Sequence, residues 1–162
     1  MTVTDVLKDP ENLTLAIVSD LAAPVDRAWE LWADPRQLER WWGPPTYPAT
    51  FVDHDLRPGG VVTYFMTSPE GEKYHGWWKV VSIETPTAIE VLDGFGNPDD
   101  PPNPDLPTTT MRVTLEATEG GSRMTIRSTF GSTDAMEKVL SMGVVEGMTA
   151  ALGQIDDILA AP

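Results

Sequence analysis

The 162-residue chain contains no cysteine, which excludes disulfides, thiolate nucleophiles, cysteine-ligated zinc and iron–sulfur clusters. Basic residues are also few, since eleven lysines and arginines stand against 25 acidic residues, a net charge of −14. This charge repels phosphate backbones and anionic lipids, so we expect no nucleic acid and no membrane partner. No stretch approaches the roughly 18 apolar residues of a membrane span, and residues 1–13 lack the features of a signal peptide. We therefore expect a soluble, cytoplasmic protein.

The length is that of one domain, which we place over residues 1–162 with its core at about 13–159. A chain of this size buries roughly two thirds of its unfolded surface around a single core. It can therefore keep a ligand cavity and still fold.

What the chain does have is tryptophan: four of its six fall within fourteen residues, at positions 29, 32, 41 and 42. Residues 13–19 alternate and predict the first strand, and Pro24 then begins a helix. Val25, Trp29 and Trp32 share one face of that helix, which indicates core packing. A second short helix follows Asp34-Pro35 and ends at Gly43-Pro44-Pro45. Its Trp41 and Trp42 are either the wall of the core or the rim of a pocket.

From residue 51 onward the apolar pattern has the period of two that is typical of strands. Residues 61–67 and 73–81 predict a hairpin around Pro69-Glu70-Gly71, and residues 88–92 predict another strand. A second alternating pair spans 109–116 and 124–130. The parity places His75, Trp77 and Lys79 on the outward face. The predicted sheet is antiparallel, with one wet face and one covered face.

The C-terminal segment predicts one long helix from about Ser132 to Leu159, amphipathic and preceded by capping oxygens. Gly143 and Gly147 lie within it, at a cost of roughly 1 kcal/mol each relative to alanine. Either the sheet approaches the helix closely there, or a cavity is left open. The apolar stripe that would cover the sheet contains Met136, Val139, Leu140, Gly143, Val144, Met148, Ala151, Leu152, Ile155 and Leu159.

Residues 93–107 contain repeated prolines and aspartates. Prolines cannot join a sheet ladder, and in this segment they also spoil the alternating oxygen spacing of a calcium loop. We interpret the segment as a solvated linker between strands.

Several short motifs follow one another along the chain. They are Ala23-Pro24-Val25, Trp29-Glu30-Leu31-Trp32, Asp34-Pro35, Trp41-Trp42-Gly43-Pro44, Asp55-Leu56-Arg57-Pro58-Gly59-Gly60, the Pro69-Glu70-Gly71 turn, Gly76-Trp77-Trp78 and Gly147 before a helix that ends at Leu159. These motifs and their order resemble those of the START-like (SRPBCC) superfamily, in the branch similar to the C-terminal domain of the activator of the Hsp90 ATPase. This resemblance implies an α+β helix-grip fold, in which a curved seven-stranded antiparallel sheet wraps around the C-terminal helix and encloses a hydrophobic cavity. No catalytic set transfers from it.

Titratable side chains give no supported catalytic or metal site. The two histidines, His54 and His75, would have to converge with a carboxylate to bind a metal, and we interpret both as solvated. Glu137 and Glu146 are the acids most able to reach a cavity, although a solvated helix face explains them as well. We predict no catalytic residues, no metal and no cofactor.

The leading hypothesis is the binding of a small apolar molecule, such as a lipid, an aromatic or a polyketide-like compound, between the sheet and the C-terminal helix. The same composition also suits an ordinary core. The alternatives are an Hsp90-type co-chaperone with a protein partner and a cyclase- or hydrolase-like enzyme, and the chain would be a monomer or homodimer. The predicted ligand-binding residues are Trp41, Trp42, Val62, Tyr64, Met66, Trp78, Met111, Val113, Leu140, Val144 and Met148.

Overall fold

A computed structural model describes residues 3–101 and 107–160, which form an α+β fold built on one curved antiparallel sheet. Within that part of the chain the sheet has eight strands, in the order β1-β2-β8-β7-β6-β5-β4-β3. The strands are β1 (Val3–Asp9), β2 (Thr14–Leu21), β3 (Ala49–His54), β4 (Val61–Thr67), β5 (Lys73–Glu84), β6 (Ala88–Phe95), β7 (Thr109–Thr118) and β8 (Gly121–Phe130).

The predicted count of seven strands is wrong, because strand β1 precedes the predicted first strand at residues 13–19. Strand β1 pairs antiparallel with β2, from Val3 opposite Ser19 to Asp9 opposite Thr14. It lies at the edge of the sheet and exposes Asp5 and Lys8. Charged residues are common on edge strands, where they discourage pairing with other chains. They also hide the apolar alternation by which a strand is recognised in sequence.

The predicted linker begins too early, because its first residues belong to strand β6. Asp93 stands opposite Trp78 on β5 and opposite Thr109 on β7, so the ladder continues to Phe95. Residues 102–106 of the predicted linker lie outside the described residues. This extension matters for function because it places Asp93 inside the sheet.

Two short helices, α1 (Val25–Ala33) and α2 (Pro35–Trp41), follow strand β2 as the sequence predicts for this region. Asp34 separates them and caps α2, since its side chain accepts a hydrogen bond from the Arg36 backbone N–H at 2.9 Å. Pro35 occupies the first turn, where a missing N–H costs nothing. The two helices therefore meet at a fixed corner above the sheet.

The prediction of one long C-terminal helix is wrong, because this segment forms three helices. They are α3 (Thr133–Ser141), α4 (Val144–Leu152) and α5 (Ile155–Ala160). The first break occurs at Gly143, whose φ of 83° is left-handed and cannot continue a right-handed helix. The second follows Gly153, where the Gln154 side chain donates to the Gly43 carbonyl oxygen at 2.7 Å. This hydrogen bond ties the C-terminal helices to the end of α2.

The core lies between the helices and the inner face of the sheet. Trp32, Trp41 and Trp78 are fully buried in it. Trp32 meets Trp41 edge to face, with ring centroids 4.8 Å apart, an arrangement that aromatic quadrupoles favour. On the outer face, Lys79 Nζ lies 5.3 Å from the Trp77 ring centroid and His75 is exposed, so the predicted strand parity holds for these residues.

Candidate functional site

A pocket of about 280 Å³ lies between the inner face of strands β4–β6 and helices α3 and α4. Aromatic rings, thioethers and aliphatic groups form most of its wall, and Asp93 is the one acidic residue among those that line it. The complete lining is Trp42, Pro44, Tyr47, Tyr64, Met66, Asp93, Phe95, Val139, Met142, Val144, Gly147 and Met148.

The structure divides the predicted ligand-binding residues into two groups. Five of them line the pocket: Trp42, Tyr64, Met66, Val144 and Met148. The others do not line it, because they fill the core behind it or, for Leu140, pack in a second apolar cluster around Phe130: Trp41, Val62, Trp78, Met111, Val113 and Leu140.

The two adjacent tryptophans at the end of α2 have different environments. The Trp41 indole N–H donates to the Leu31 carbonyl oxygen at 3.0 Å, and the ring is completely buried. Trp42 is the last residue of the α2 corner and lies against the pocket. Trp41 is therefore part of the core, whereas Trp42 forms part of the pocket wall.

Gly147 lines the pocket on its helical side and faces open space. A Cβ added at this position would meet no atom within 4 Å, apart from the helix's own nearby backbone. Close packing of the sheet is thus not the reason for this glycine. The sequence left two explanations for the helix glycines, close packing of the sheet or an open cavity. Open space fits Gly147, whereas at Gly143 the left-handed backbone conformation favours glycine.

Asp93 is the polar residue of the pocket that sequence reasoning missed. Burial disfavours the ionised carboxylate and raises the pKa of Asp93 from 3.8 to about 7. The side chain shares the inner face with Trp78, its cross-strand neighbour on β5. The signal in the sequence was the strand pattern of residues 88–92, which continues through Asp93 but is obscured by the glycines and prolines that follow.

Tyr64 lies across the sheet toward Asp93 because Gly76 leaves room for its ring. Tyr64 and Gly76 are cross-strand partners, and a Cβ on Gly76 would be only 2.5 Å from the Tyr64 hydroxyl oxygen. Burial raises the pKa of Tyr64, and the nearby negative charge of Asp93 raises it further. The phenol therefore stays protonated and can donate or accept a hydrogen bond.

Two indole N–H groups close to Tyr64 lack a hydrogen-bond partner among the described residues: those of Trp42 and Trp78. Their ring centroids each lie 6.1 Å from that of Tyr64. The N–H groups are near enough to the Tyr64 hydroxyl to oppose the rise in its pKa, yet neither makes a hydrogen bond of normal geometry with it. Buried donors of this kind are rare in folded proteins.

The other titratable candidates lie elsewhere. His54 Nε2 is 2.9 Å from the Trp32 carbonyl oxygen, whereas His75 packs on the outer face, with its ring centroid 5.7 Å from that of Phe65. Glu137 and Glu146 are exposed. Within residues 3–101 and 107–160, no group of three histidine, aspartate or glutamate side chains could hold a metal ion.

Two further hollows, of about 500 and 320 Å³, adjoin the turn between β7 and β8. Small side chains and turn backbone form most of their lining, in contrast to the aromatic wall of the sheet-helix pocket. In the described parts of the chain, no helix has the length and apolarity needed to cross a bilayer.

The family model described as "Activator of Hsp90 ATPase homolog 1-like protein" matches residues 22–160. The comparison with curated proteins gave no match. Among solved structures, protein Ms6760 from Mycobacterium smegmatis is 52% identical, with a TM-score of 0.89 over 99% of this chain and 98% of that one. A protein from Arthrobacter aurescens is 48% identical, with a TM-score of 0.93 over 99% and 94%.

More distant structures share the fold. The AHSA1 protein from Silicibacter pomeroyi is 20% identical, with a TM-score of 0.73 over 91% of this chain and 97% of that one. The family model covers most of the chain, and two solved structures match nearly all of it at about half identity. The chain thus belongs to the family of Activator of Hsp90 ATPase homolog 1-like proteins, in the START-like superfamily that its motifs predicted.

Proposed function

We propose that the protein binds a small, mainly apolar molecule in the pocket between strands β4–β6 and helices α3 and α4. The observation that carries this proposal is the pocket wall, in which aromatic and thioether groups surround a few converging polar atoms. Ligand sites in proteins typically combine an apolar lining with a small number of placed polar groups. The placement matches the cavity between sheet and helix that the helix-grip fold implies.

The size of the pocket limits the ligand. Its volume of about 280 Å³ lies at the lower end of the roughly 300–1,000 Å³ that ligand pockets occupy. A compound of one or two rings is therefore the better match than a long acyl chain. Met66, Met142 and Met148 can adapt their flexible side chains to such a shape.

The direct test is calorimetric titration with a bicyclic aromatic probe such as 2-naphthol, combined with thermal unfolding. Saturation at 100 times the dissociation constant should stabilise the protein by about 2.7 kcal/mol. Replacing Gly147 by leucine fills open space in the pocket wall, so binding should be lost while the fold remains. The matched control is Ala150→Leu, because Ala150 is exposed on the same helix. Equal binding by both variants would contradict the proposed location.

A second candidate function is activation of a chaperone ATPase, which the family description names. The feature of this chain that favours it is its net charge of −14, because an acidic surface accelerates encounter with a basic partner surface. The test is the ATPase rate of the cognate Hsp90 with saturating amounts of the protein. An unchanged rate would eliminate this candidate, whereas stimulation that persists in Gly147→Leu would separate it from the pocket.

A further inference from the structure

The pocket carries its polar groups at one place on the inner face of the sheet. Asp93 supplies a carboxyl and Tyr64 a hydroxyl, and both residues line the pocket. The indole N–H groups of Trp42 and Trp78 are buried next to the Tyr64 hydroxyl. The Trp42 and Trp78 side chains are unpartnered donors within the described structure, and these residues are only 4% and 0% exposed.

This polar cluster of Asp93, Tyr64, Trp42 and Trp78 would lower the stability of the fold if the region were only part of the core. A buried donor left without a partner lowers stability, and a carboxyl in an apolar wall adds a desolvation penalty. Phenylalanine and leucine would fill the same volume without either cost. Unpaired donors beside a single carboxyl are better explained as the binding site for a polar group on a ligand.

The fold holds the cluster in a fixed arrangement. Asp93 is set by its register opposite Trp78, and Tyr64 is set by its register opposite Gly76, over which its ring lies. Trp42 comes from the end of α2, and its ring packs edge to face on Trp78 with centroids 4.9 Å apart. Polar groups on packed strands and rings recognise a ligand with little loss of conformational entropy.

Building on the proposed function, we propose that this cluster is a subsite for a hydroxyl group on the apolar ligand. The ligand hydroxyl donates its hydrogen to the Asp93 carboxylate and accepts a hydrogen bond from the Tyr64 hydroxyl. A Tyr64 hydroxyl that donates to the ligand turns its lone pairs toward the buried indole N–H groups of Trp42 and Trp78, which the protein leaves unpaired.

Other polar groups match the cluster less well. A ligand carboxylate would place a second negative charge beside Asp93, which is unfavourable in an apolar site. An ammonium group would pair with Asp93 but offers no acceptor to the Tyr64 hydroxyl, and it loses its own hydration. An ether or a ketone accepts from the Tyr64 hydroxyl but gives no hydrogen to an ionised Asp93.

The experiment uses four probes with one shared ring system: naphthalene, 2-methoxynaphthalene, naphthalene-2-carboxylate and 2-naphthol. Their affinities for the wild-type protein are measured by calorimetry or displacement at pH 8, above the pKa of about 7 to which burial raises Asp93, so that its carboxylate is mostly ionised. We expect 2-naphthol to bind about tenfold or more tightly than each of the other three, since a hydrogen bond to a charged group corresponds to a factor of that order.

Two variants assign the preference to the cluster. Asp93→Leu removes the acceptor and should abolish the advantage of 2-naphthol over 2-methoxynaphthalene while retaining binding of naphthalene. Tyr64→Phe removes a donor that both oxygen-bearing probes can use, so it should lower the affinities of 2-naphthol and 2-methoxynaphthalene relative to naphthalene and leave the ratio between those two nearly unchanged. The four affinities of the wild-type protein test the hydroxyl subsite by themselves, so the proposal can be tested even if a variant fails to fold.

The outcomes separate this proposal from the proposed function. Equal affinity for naphthalene and 2-naphthol would overturn the hydroxyl subsite and leave the apolar pocket in place. Tightest binding of the carboxylate would overturn it in favour of an anion site. Failure of all four probes to bind the wild-type protein would count against the ligand-binding function itself.

Discussion

Replacing Asp93 by asparagine should stabilise the protein at neutral and alkaline pH. Asparagine keeps the shape of the side chain and removes the ionisable group from the pocket wall. The native fold raises the pKa of Asp93 from 3.8 to about 7 because burial disfavours its charged form. Such a group lowers the stability of the folded protein at every pH at which it is ionised in the unfolded chain.

The sign follows from the protons bound in each state. Between pH 4 and 7 the native protein keeps the Asp93 proton more often than the unfolded chain does, so its stability falls as the pH rises through this window. Below the unfolded pKa both states are protonated and the effect disappears. The shift from 3.8 to about 7 corresponds to at most about 4 kcal/mol, reached above pH 7. Access of solvent through the pocket reduces this maximum.

The assay is urea unfolding of the wild type and Asp93→Asn at pH 4, 5, 6, 7 and 8, with the free energy of unfolding extrapolated to water. The difference between the two proteins should be smallest at pH 4 and should grow in favour of the variant up to about pH 7. Asp5→Asn is the matched control, because it makes the same charge change at an exposed position on β1. Removing any one negative charge reduces the electrostatic self-repulsion of a chain with a net charge of −14, and Asp5→Asn measures this general effect on stability.

A pH-independent difference between wild type and Asp93→Asn would refute the reasoning. So would an effect that Asp5→Asn reproduces, since net charge alone would then account for it. The advantage of Asp93→Asn in free energy of unfolding could instead grow toward acid pH. That result would mean that the native fold stabilises the Asp93 carboxylate, which is the reverse of destabilisation by burial.

Five further substitutions test the local structure. Gly143→Ala should cost about 1 kcal/mol in urea unfolding because alanine resists the left-handed backbone, whereas Gly147→Ala should add up to about 1 kcal/mol because it lies in open helical space. Gly76→Ala should displace the pocket tyrosine and lower the affinity for 2-naphthol in calorimetry. Trp41→Phe should lower the melting temperature more than Trp42→Phe, because only Trp41 loses an indole hydrogen bond.

The antiparallel sheet and the helical corner were predictable because their signals are local. Alternating residues in β4 and β5 and the Asp34-Pro35 cap each determine structure within a few positions. The extra strand β1 was not predictable in this way. Its strand conformation comes from pairing with β2, and its own charged residues resemble a loop.

The C-terminal segment shows how a correct apolar pattern can hide a break. The stripe from Met136 to Leu159 keeps a helical period because each helix buries one face. Helix α3 and the start of α4 pack in the cluster around Phe130, and the rest of α4 and α5 pack on the main core. A period of 3.6 reports which face is buried, but it does not report the backbone angle of a single residue. The left-handed conformation of Gly143 therefore appears only in three dimensions.

Of the residues that line the pocket, Tyr64, Met66 and Met148 were predicted from the sequence, but Asp93 was not. The first three could be predicted because inward parity on strands and helices can be counted. Whether a residue lines a pocket or fills the core behind it depends on the helices above, which sequence parity does not describe. Asp93 was missed because its role depends on its register opposite Trp78.

The nitrogen-15 spectrum of the six tryptophan indoles, recorded during titration with 2-naphthol, tests whether the ligand binds in this pocket. We expect the Trp42 N–H signal to shift most and the Trp78 signal to shift with it, since both are unpaired donors near the pocket. The signals of Trp41 and Trp77 should stay nearly constant, because their N–H groups donate to backbone carbonyl oxygens at 3.0 and 3.1 Å. Saturable binding that leaves the Trp42 signal unmoved would contradict binding in this pocket.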